Sequence, residues 1–185
     1  MRTRPTRPGP LKRSLLVAGS IAVAALGGSV PAGAHVSVHP ERAPRGSFSI
    51  LSFSVPNERP DASTVSVEIT LPTDRPITYV SVQPVPGWTT TIERTTLDTP
   101  VTVHGRPVSD VVSRVVWSGG VIRPGEFQQF TVSAGPLPAR GRTVAFKALQ
   151  TYSSGEVVRW VEIPQRGAPE PRFPAPVLTL TAPKG

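Results

Sequence analysis

The sequence of 185 residues contains no cysteine. The fold therefore has no disulfide framework, no thiolate nucleophile and no cysteine-ligated zinc or iron–sulfur cluster. A lipid-modified cysteine at a processed N-terminus is excluded for the same reason. The length is sufficient for one domain and hardly for two, so we expect one compact core.

Acidic residues are absent from the first 34 residues, which hold five of the 20 basic residues of the chain. The rest of the chain carries 15 basic and 12 acidic residues, so most of the net charge of +8 lies in this leader. Beyond the leader, the basic residues are scattered singly and form no stripe. We therefore expect no nucleic-acid partner.

The leader has the features of an export signal. A basic segment is followed by an apolar run at residues 15–26 and by Pro31-Ala32-Gly33-Ala34, which resembles an A-x-A cleavage site. The apolar run is shorter than the ~20 residues that a membrane-spanning helix needs. We predict that residues 1–34 are cleaved and that the mature chain begins at His35. It is expected to be extracytoplasmic, secreted or associated with the cell surface, with no transmembrane anchor.

The mature chain shows the alternation of apolar and polar residues that is typical of β-strands. It is clearest at residues 48–55, 65–71 and 79–82, and it recurs at residues 111–117, 127–132, 144–149 and 157–163. Val and Thr favour sheet over helix, and no segment has a helical apolar period. This pattern predicts an all-β, immunoglobulin-like two-sheet sandwich, with a closed barrel as the alternative.

Breaks in the pattern suggest the boundaries of this domain. We expect residues 35–166 to form the sandwich and residues 167–185 to form a Pro-rich extended tail that ends in a strand. The longest polar insertion, residues 97–110, is expected to be a mobile loop.

Side-chain alternation also predicts which way two candidate residues point. In the segment 65–71 the apolar positions are odd-numbered, so Glu68 is expected on the outer face. In the segment 157–163 the core side is expected to hold Val157, Val161 and Ile163, which places Trp160 on the outer face. Trp117 and Trp88 are expected to be packing residues, in the core and at a hairpin end.

Cleavage after Ala34 gives the mature chain an N-terminal histidine. The free amine and imidazole Nδ1 of His35 form a chelate that suits copper(II), which favours nitrogen and oxygen ligands. His39 and His104 are candidate further ligands, and Glu68 is a candidate oxygen ligand, with Glu126 or Glu156 next. No hydrolase motif is present, so we expect no catalytic site.

Several motifs of the mature chain resemble the YcnI-like family of exported copper-binding proteins. The resemblance covers residues 35–164, and its motifs are Ala34-His35-Val36-Ser37-Val38-His39-Pro40, Val67-Glu68-Ile69, Pro86-Gly87-Trp88, Trp117-Ser118-Gly119-Gly120, Pro124-Gly125-Glu126-Phe127 and Gln150-Thr151-Tyr152-Ser153-Ser154-Gly155-Glu156-Val157-Val158-Arg159-Trp160. It implies a β-sandwich that binds Cu(II) through a single-histidine brace. By this resemblance His35 forms the brace, Glu68 matches the carboxylate ligand, and Trp160 matches the tryptophan beside the metal.

The resemblance implies a non-enzymatic protein of copper homeostasis that delivers or sequesters copper(II). Its expected partners are the copper ion and a membrane copper transporter or another copper-binding protein. One alternative is a histidine-brace copper oxidase or monooxygenase, which needs a second histidine that only His39 or His104 provides. The other is a secreted adhesion or cell-wall module in which the N-terminal histidine is incidental.

Overall fold

A computed structural model of the chain describes residues 35–165 and 167–183; the predicted leader lies outside the described residues. The described residues form strands and contain no helix long and apolar enough to cross a membrane. The strands are β1 (Ser37–His39), β2 (Arg42–Pro44), β3 (Ser49–Pro56), β4 (Thr64–Thr70), β5 (Tyr79–Val82), β6 (Thr89–Val103), β7 (Arg106–Ile122), β8 (Phe127–Gly135), β9 (Thr143–Ala145), β10 (Lys147–Tyr152), β11 (Val157–Trp160) and β12 (Val177–Thr181).

The strands of the described residues form three sheets. A four-stranded sheet has the order β1-β3-β8-β5, and a five-stranded sheet has the order β11-β10-β4-β7-β6. The short strands β2, β12 and β9 form the third. The two larger sheets keep free edge strands, so the architecture is the predicted all-β sandwich and not the closed barrel.

The hydrophobic core lies between the two larger sheets. Leu51, Phe53 and Val55 alternate on β3 and are fully buried, as the pattern in the sequence predicts. The rings of Trp117 on β7 and Phe130 on β8 lie 4.9 Å apart, which joins the five-stranded sheet to the four-stranded one. Trp117 is therefore a core residue, as predicted.

The C-terminal residues belong to the same fold. β12 pairs in parallel with β2 and antiparallel with β9, and its side chains Leu178 and Leu180 are buried in the core. The sandwich therefore extends beyond residue 166. The part of the chain between β11 and β12 is a connecting segment.

The polar insertion at residues 97–110 is part of a long hairpin. β6 and β7 pair through most of their length, and the turn between them has positive φ at His104 (49°) and Gly105 (76°). Two positive φ values in a two-residue turn match the right-handed twist of a hairpin. The prediction of a loop here is wrong, because residues 101–103 of β6 pair with residues 106–108 of β7 across the hairpin.

The predicted orientation of β11 is also wrong. Val158 and Trp160 are buried, whereas Val157 and Ile163 are 39% and 50% exposed. The indole buries far more apolar area than a valine, so its burial decides which face of the strand turns inwards. Because β11 ends at Trp160, residues 161–163 no longer follow its alternation.

Candidate metal-binding site

His35 is held at the start of β1 by two buried valines. Val36 and Val38 are in the core, and Ser37 pairs with Ser54 of β3. Continuing this register by two residues places His35 opposite Pro56, the last residue of β3. The segment at residues 35–39 is thereby fixed to the domain, and 30% of the His35 side chain remains exposed.

The imidazole of His35 lies against the indole of Trp160. The ring centroids are 5.7 Å apart and the planes are inclined by 57°. The family resemblance implied that these two residues lie together, and the structure brings them together from opposite ends of the domain sequence. It does so on the inner side of β11, not on the outer face that the alternation had suggested.

A buried glutamine fixes the orientation of this indole. Trp160 Nε1 donates a hydrogen bond to Gln150 Oε1 at 3.1 Å. Gln150 Nε2 donates to the carbonyl oxygen of Pro56 at 2.9 Å and to Thr64 Oγ1 at 2.8 Å. The polar edge of the indole is thus satisfied by Gln150, and its ring is free to contact His35.

The segment between β11 and β12 crosses the same region, and we call residues 167–176 the strap. Its Glu170 places Oε1 3.4 Å from His35 Nδ1. Its Phe173 packs edge-on against Trp160, with ring centroids 5.6 Å apart. The strap therefore contacts both members of the pair formed by His35 and Trp160.

Glu162 anchors the strap to the end of β11. Glu162 N donates to the carbonyl oxygen of Phe173 at 3.1 Å, and Ala175 N donates to the carbonyl oxygen of Glu162 at 2.8 Å. The carboxylate of Glu162 also accepts a hydrogen bond from Phe173 N at 3.2 Å. The part of the strap that follows Glu170 is held by these backbone contacts.

Glu68 lies on the opposite face of the sheet from Trp160. Trp160 pairs with Ala148, which pairs with Ile69, and these three side chains are all buried. Directly paired residues share a face and neighbours along a strand alternate, so Glu68 points outwards. There its two carboxylate oxygens accept hydrogen bonds from Arg114 Nη1 at 3.3 Å.

Arg114 links Glu68 to a second carboxylate. Arg114 Nε donates to Glu93 Oε2 at 2.9 Å, and Arg114 Nη2 contacts the same oxygen. The hydrogen bonds that Arg114 donates to Glu93, and then those to Glu68, raise the pKa of Arg114 above its usual value. The structure therefore places Glu68 in an ion-pair cluster and does not bring it to His35. Its role as a ligand stays a prediction.

The other candidate ligands are also engaged elsewhere. His39 contacts Ser37 Oγ through Nε2 at 3.0 Å, and His104 forms the turn of the β6–β7 hairpin, whose strand β6 is at the other edge of the sheet from β11. Glu156 pairs with Arg59, which lowers the pKa of Glu156, and Glu126 accepts a hydrogen bond from Arg123 N. Among residues 35–165 and 167–183, no three His, Asp or Glu side chains converge on one point.

The sequence profile described as Domain of unknown function (DUF1775) matches residues 35–180, which includes the whole region from His35 to the strap. The chain belongs to the DUF1775 family. This confirms the YcnI-like resemblance seen in its motifs.

Two relatives place this DUF1775 domain among known proteins. It is similar to the copper-binding protein CutI of Bacillus subtilis (strain 168), with 31% identity over 134 residues that cover 71% of this chain and 57% of CutI. It is also similar to the crystal structure of a Nocardia farcinica protein with an immunoglobulin-like fold. That similarity has 37% identity and a TM-score of 0.66, and it covers 80% of this chain and 99% of the other. The predicted immunoglobulin-like sandwich is confirmed.

Sequence reasoning about this DUF1775 domain missed three residues of the site. Gln150 begins the motif that ends at Trp160. In the pairing of β10 with β11, Gln150 lies opposite Val158, two residues from Trp160, so the two side chains share a face of the sheet. Glu170 and Phe173 lie in the Pro-rich strap, where no periodicity marks them. Only the path of the chain between β11 and β12 brings them to His35.

Proposed function

We propose that the mature chain is an exported copper(II)-binding protein that delivers or sequesters copper. After cleavage behind Ala34, the amine of His35 becomes a free donor beside the imidazole of the same residue. Together they supply two nitrogen ligands of the kind that copper(II) prefers. The similarity to CutI, whose name describes it as copper-binding, supports this metal.

The placement of His35 is the observation that carries the proposal. Its imidazole is partly exposed, rests on a buried indole, and faces a carboxylate with its Nδ1 atom. A histidine at a frayed terminus would have no such environment. Here the domain holds the histidine in place and leaves 30% of its side chain exposed.

We infer a binding role and not a catalytic one. A histidine-brace oxidase or monooxygenase needs a second histidine at the metal, and in the described residues His39 contacts Ser37 while His104 lies in the turn of the β6–β7 hairpin. Copper transferred to or from a membrane transporter or another copper-binding protein is consistent with a site that is partly exposed. An adhesion or cell-wall module is the competing function, and it requires no metal response.

Fluorescence of the tryptophans tests the proposed site. Copper(II) quenches indole emission at short range, and Trp160 is the indole that contacts His35. Titration of the mature chain with copper(II) is expected to remove part of the emission and to saturate when metal and protein are equimolar. In Trp160→Phe this quenching step is expected to be largely lost, while calorimetry still detects copper binding.

Trp88→Phe is the matched control for this experiment. Trp88 packs edge-on against Phe130 at 5.0 Å, between the two larger sheets and not against His35. Its replacement is expected to lower the total emission and to leave the copper-dependent step in place. Quenching that persists in Trp160→Phe and disappears in Trp88→Phe would place the metal elsewhere. No saturable response in any variant would favour the adhesion module.

A further inference from the structure

We propose that the end of the sandwich where β3 begins docks on a membrane surface that contains anionic lipids. This inference goes beyond the proposed copper-binding function and uses none of its residues. We call the docking surface the basic end. Its members are Arg45, Arg75, Arg140 and Arg142, with the exposed side chains of Phe48, Ile50 and Tyr79.

The strand order brings three connections of the chain to the basic end. Pro56, the last residue of β3, lies opposite His35, and the eight residues of β3 span about 25 Å, so β3 begins far from the histidine. β8 pairs antiparallel with β3 and with β5. The connections β2–β3, β4–β5 and β8–β9 therefore reach the same end. They hold four arginines and a single carboxylate, Asp74.

Two of these arginines are held at the turn that carries the other two. Arg45 Nε donates to the carbonyl oxygen of Gly141 at 3.0 Å, and Arg75 Nη1 donates to that of Arg140 at 3.4 Å. Gly141 has a φ of 92°, and a Cβ atom there would overlap Arg75 Nη1, so this approach requires glycine. Arg140 and Arg142 are exposed on either side of it. Four guanidinium groups are thus gathered around one turn.

The positive charge of this cluster is little compensated. Arg75 Nε lies 3.4 Å from Asp74 Oδ2, whereas Arg45, Arg140 and Arg142 form no ion pair within residues 35–165 and 167–183. The carbonyl oxygens that hold Arg45 and Arg75 are neutral and leave the charge in place. Guanidinium groups bind phosphate oxygens in a forked geometry. The basic end is therefore suited to the phosphate groups of a lipid surface.

Exposed apolar side chains lie next to the arginines. Phe48 and Tyr79 are 55% and 52% exposed, and their ring centroids are 5.8 Å apart. They meet over Gly135, where the absence of a Cβ atom leaves room for the Phe48 ring. Ile50 lies two residues further along the same face and is 67% exposed. Binding to a bilayer surface uses basic and apolar side chains together, so this combination favours a membrane over an acidic protein.

The connections at the opposite end of β3 have the opposite charge. The connections β3–β4, β7–β8 and β10–β11 hold four acidic residues and two basic ones, which are Glu58, Asp61, Glu126, Glu156, Arg59 and Arg123. An anionic surface attracts one end of the domain and repels the other. The docked domain is therefore expected to turn its basic end to the lipid and His35 away from it.

Sedimentation of the metal-free mature chain with lipid vesicles tests the proposal. We expect binding to vesicles of phosphatidylglycerol and phosphatidylcholine in equal amounts, and none to phosphatidylcholine alone. One basic residue at an anionic surface contributes about fivefold to binding, so Arg140→Gln with Arg142→Gln is expected to weaken it about 30-fold. Arg123→Gln with Arg159→Gln is the matched control. It removes the same charge away from the basic end and is expected to bind nearly as tightly as the parent chain.

A second double variant separates a membrane from an acidic protein as the partner. Ile50→Ser with Tyr79→Ser keeps the arginines and removes two exposed apolar side chains, and it is expected to weaken vesicle binding about tenfold. Polyglutamate serves as the probe for an acidic protein. If polyglutamate binds as tightly as the vesicles and this variant changes neither, the partner is an acidic protein and the membrane proposal fails.

Two further results would overturn the proposal. One is no binding of the parent chain to the anionic vesicles, and the other is an equal loss in the two arginine double variants. Because the vesicle measurements use the metal-free chain, they do not depend on whether His35 binds copper. A failure of the copper site and a failure of the basic end are therefore distinguishable.

Discussion

A mature chain that carries one extra methionine before His35 is expected to lose most of its affinity for copper(II). The added residue converts the amine into a peptide nitrogen and breaks the chelate, while the imidazole keeps its place against Trp160. Mutations of outer-shell partners already cost 10–100-fold, so loss of a direct nitrogen ligand is expected to cost at least about 100-fold. Competition titration against a chelator of known affinity measures the loss.

The control for this prediction is His35→Ala with a free N-terminal amine. It retains the amine and lacks the imidazole, so both variants are expected to bind weakly, each for a different missing donor. Thermal unfolding of the metal-free proteins should be similar to that of the authentic chain, because the valines that hold β1 are unchanged. Equal copper affinity with and without the extra methionine would show that the amine is not a ligand.

Trp117→Ala is expected to destabilise the fold by about 3–5 kcal/mol, the usual cost of removing a large aromatic side chain from a core. Trp117 is fully buried and packs against Phe130 of the opposite sheet. The cavity would open where the two larger sheets meet, and neither sheet can close it without moving its strands. Chemical denaturation followed by circular dichroism gives the free energy of unfolding.

Trp117→Phe is the matched variant. Within the described residues, Trp117 Nε1 is buried and has no hydrogen-bond partner, so phenylalanine removes volume and also removes an unsatisfied donor. Its cost is expected to be well below that of alanine. Copper affinity is expected to be unchanged in whatever fraction of either variant is folded. A loss of copper binding in folded Trp117→Phe would contradict the separation between core and site.

The strands whose two faces differ clearly could be predicted from the sequence. In β3 the apolar residues Leu51, Phe53 and Val55 alternate with serines and are buried as expected, whereas Ile50 is 67% exposed. In β11 both faces carry apolar residues, so alternation alone could not choose between them. The indole of Trp160 decides it, because it buries more apolar area than a valine, and Gln150 on the neighbouring strand accepts the hydrogen bond of its Nε1. The end of the β6–β7 hairpin was predicted to be a loop because its residues are polar. In the structure these residues are held by pairing between the two strands.

Some residues of the candidate site could likewise be predicted from the sequence, and others could not. His35 was accessible to sequence reasoning because a cleavage motif marks it locally, and Trp160 because it ends a specific motif. The contact of His35 with Glu170 was not accessible, because Glu170 meets His35 only after the chain has passed β11 and returned along the strap. Glu68 has the expected residue type, but it lies on the outer face of the sheet in an ion pair with Arg114.

Electron paramagnetic resonance of the mature chain with equimolar copper(II) tests the central claim most directly. The brace at His35 predicts a single copper species whose nitrogen couplings come from one amine and one imidazole. The same spectrum is expected for His39→Ala and His104→Ala, since His39 contacts Ser37 and His104 lies in the turn of the β6–β7 hairpin. Couplings from two imidazoles, or a spectrum that is unchanged when a methionine precedes His35, would contradict the account.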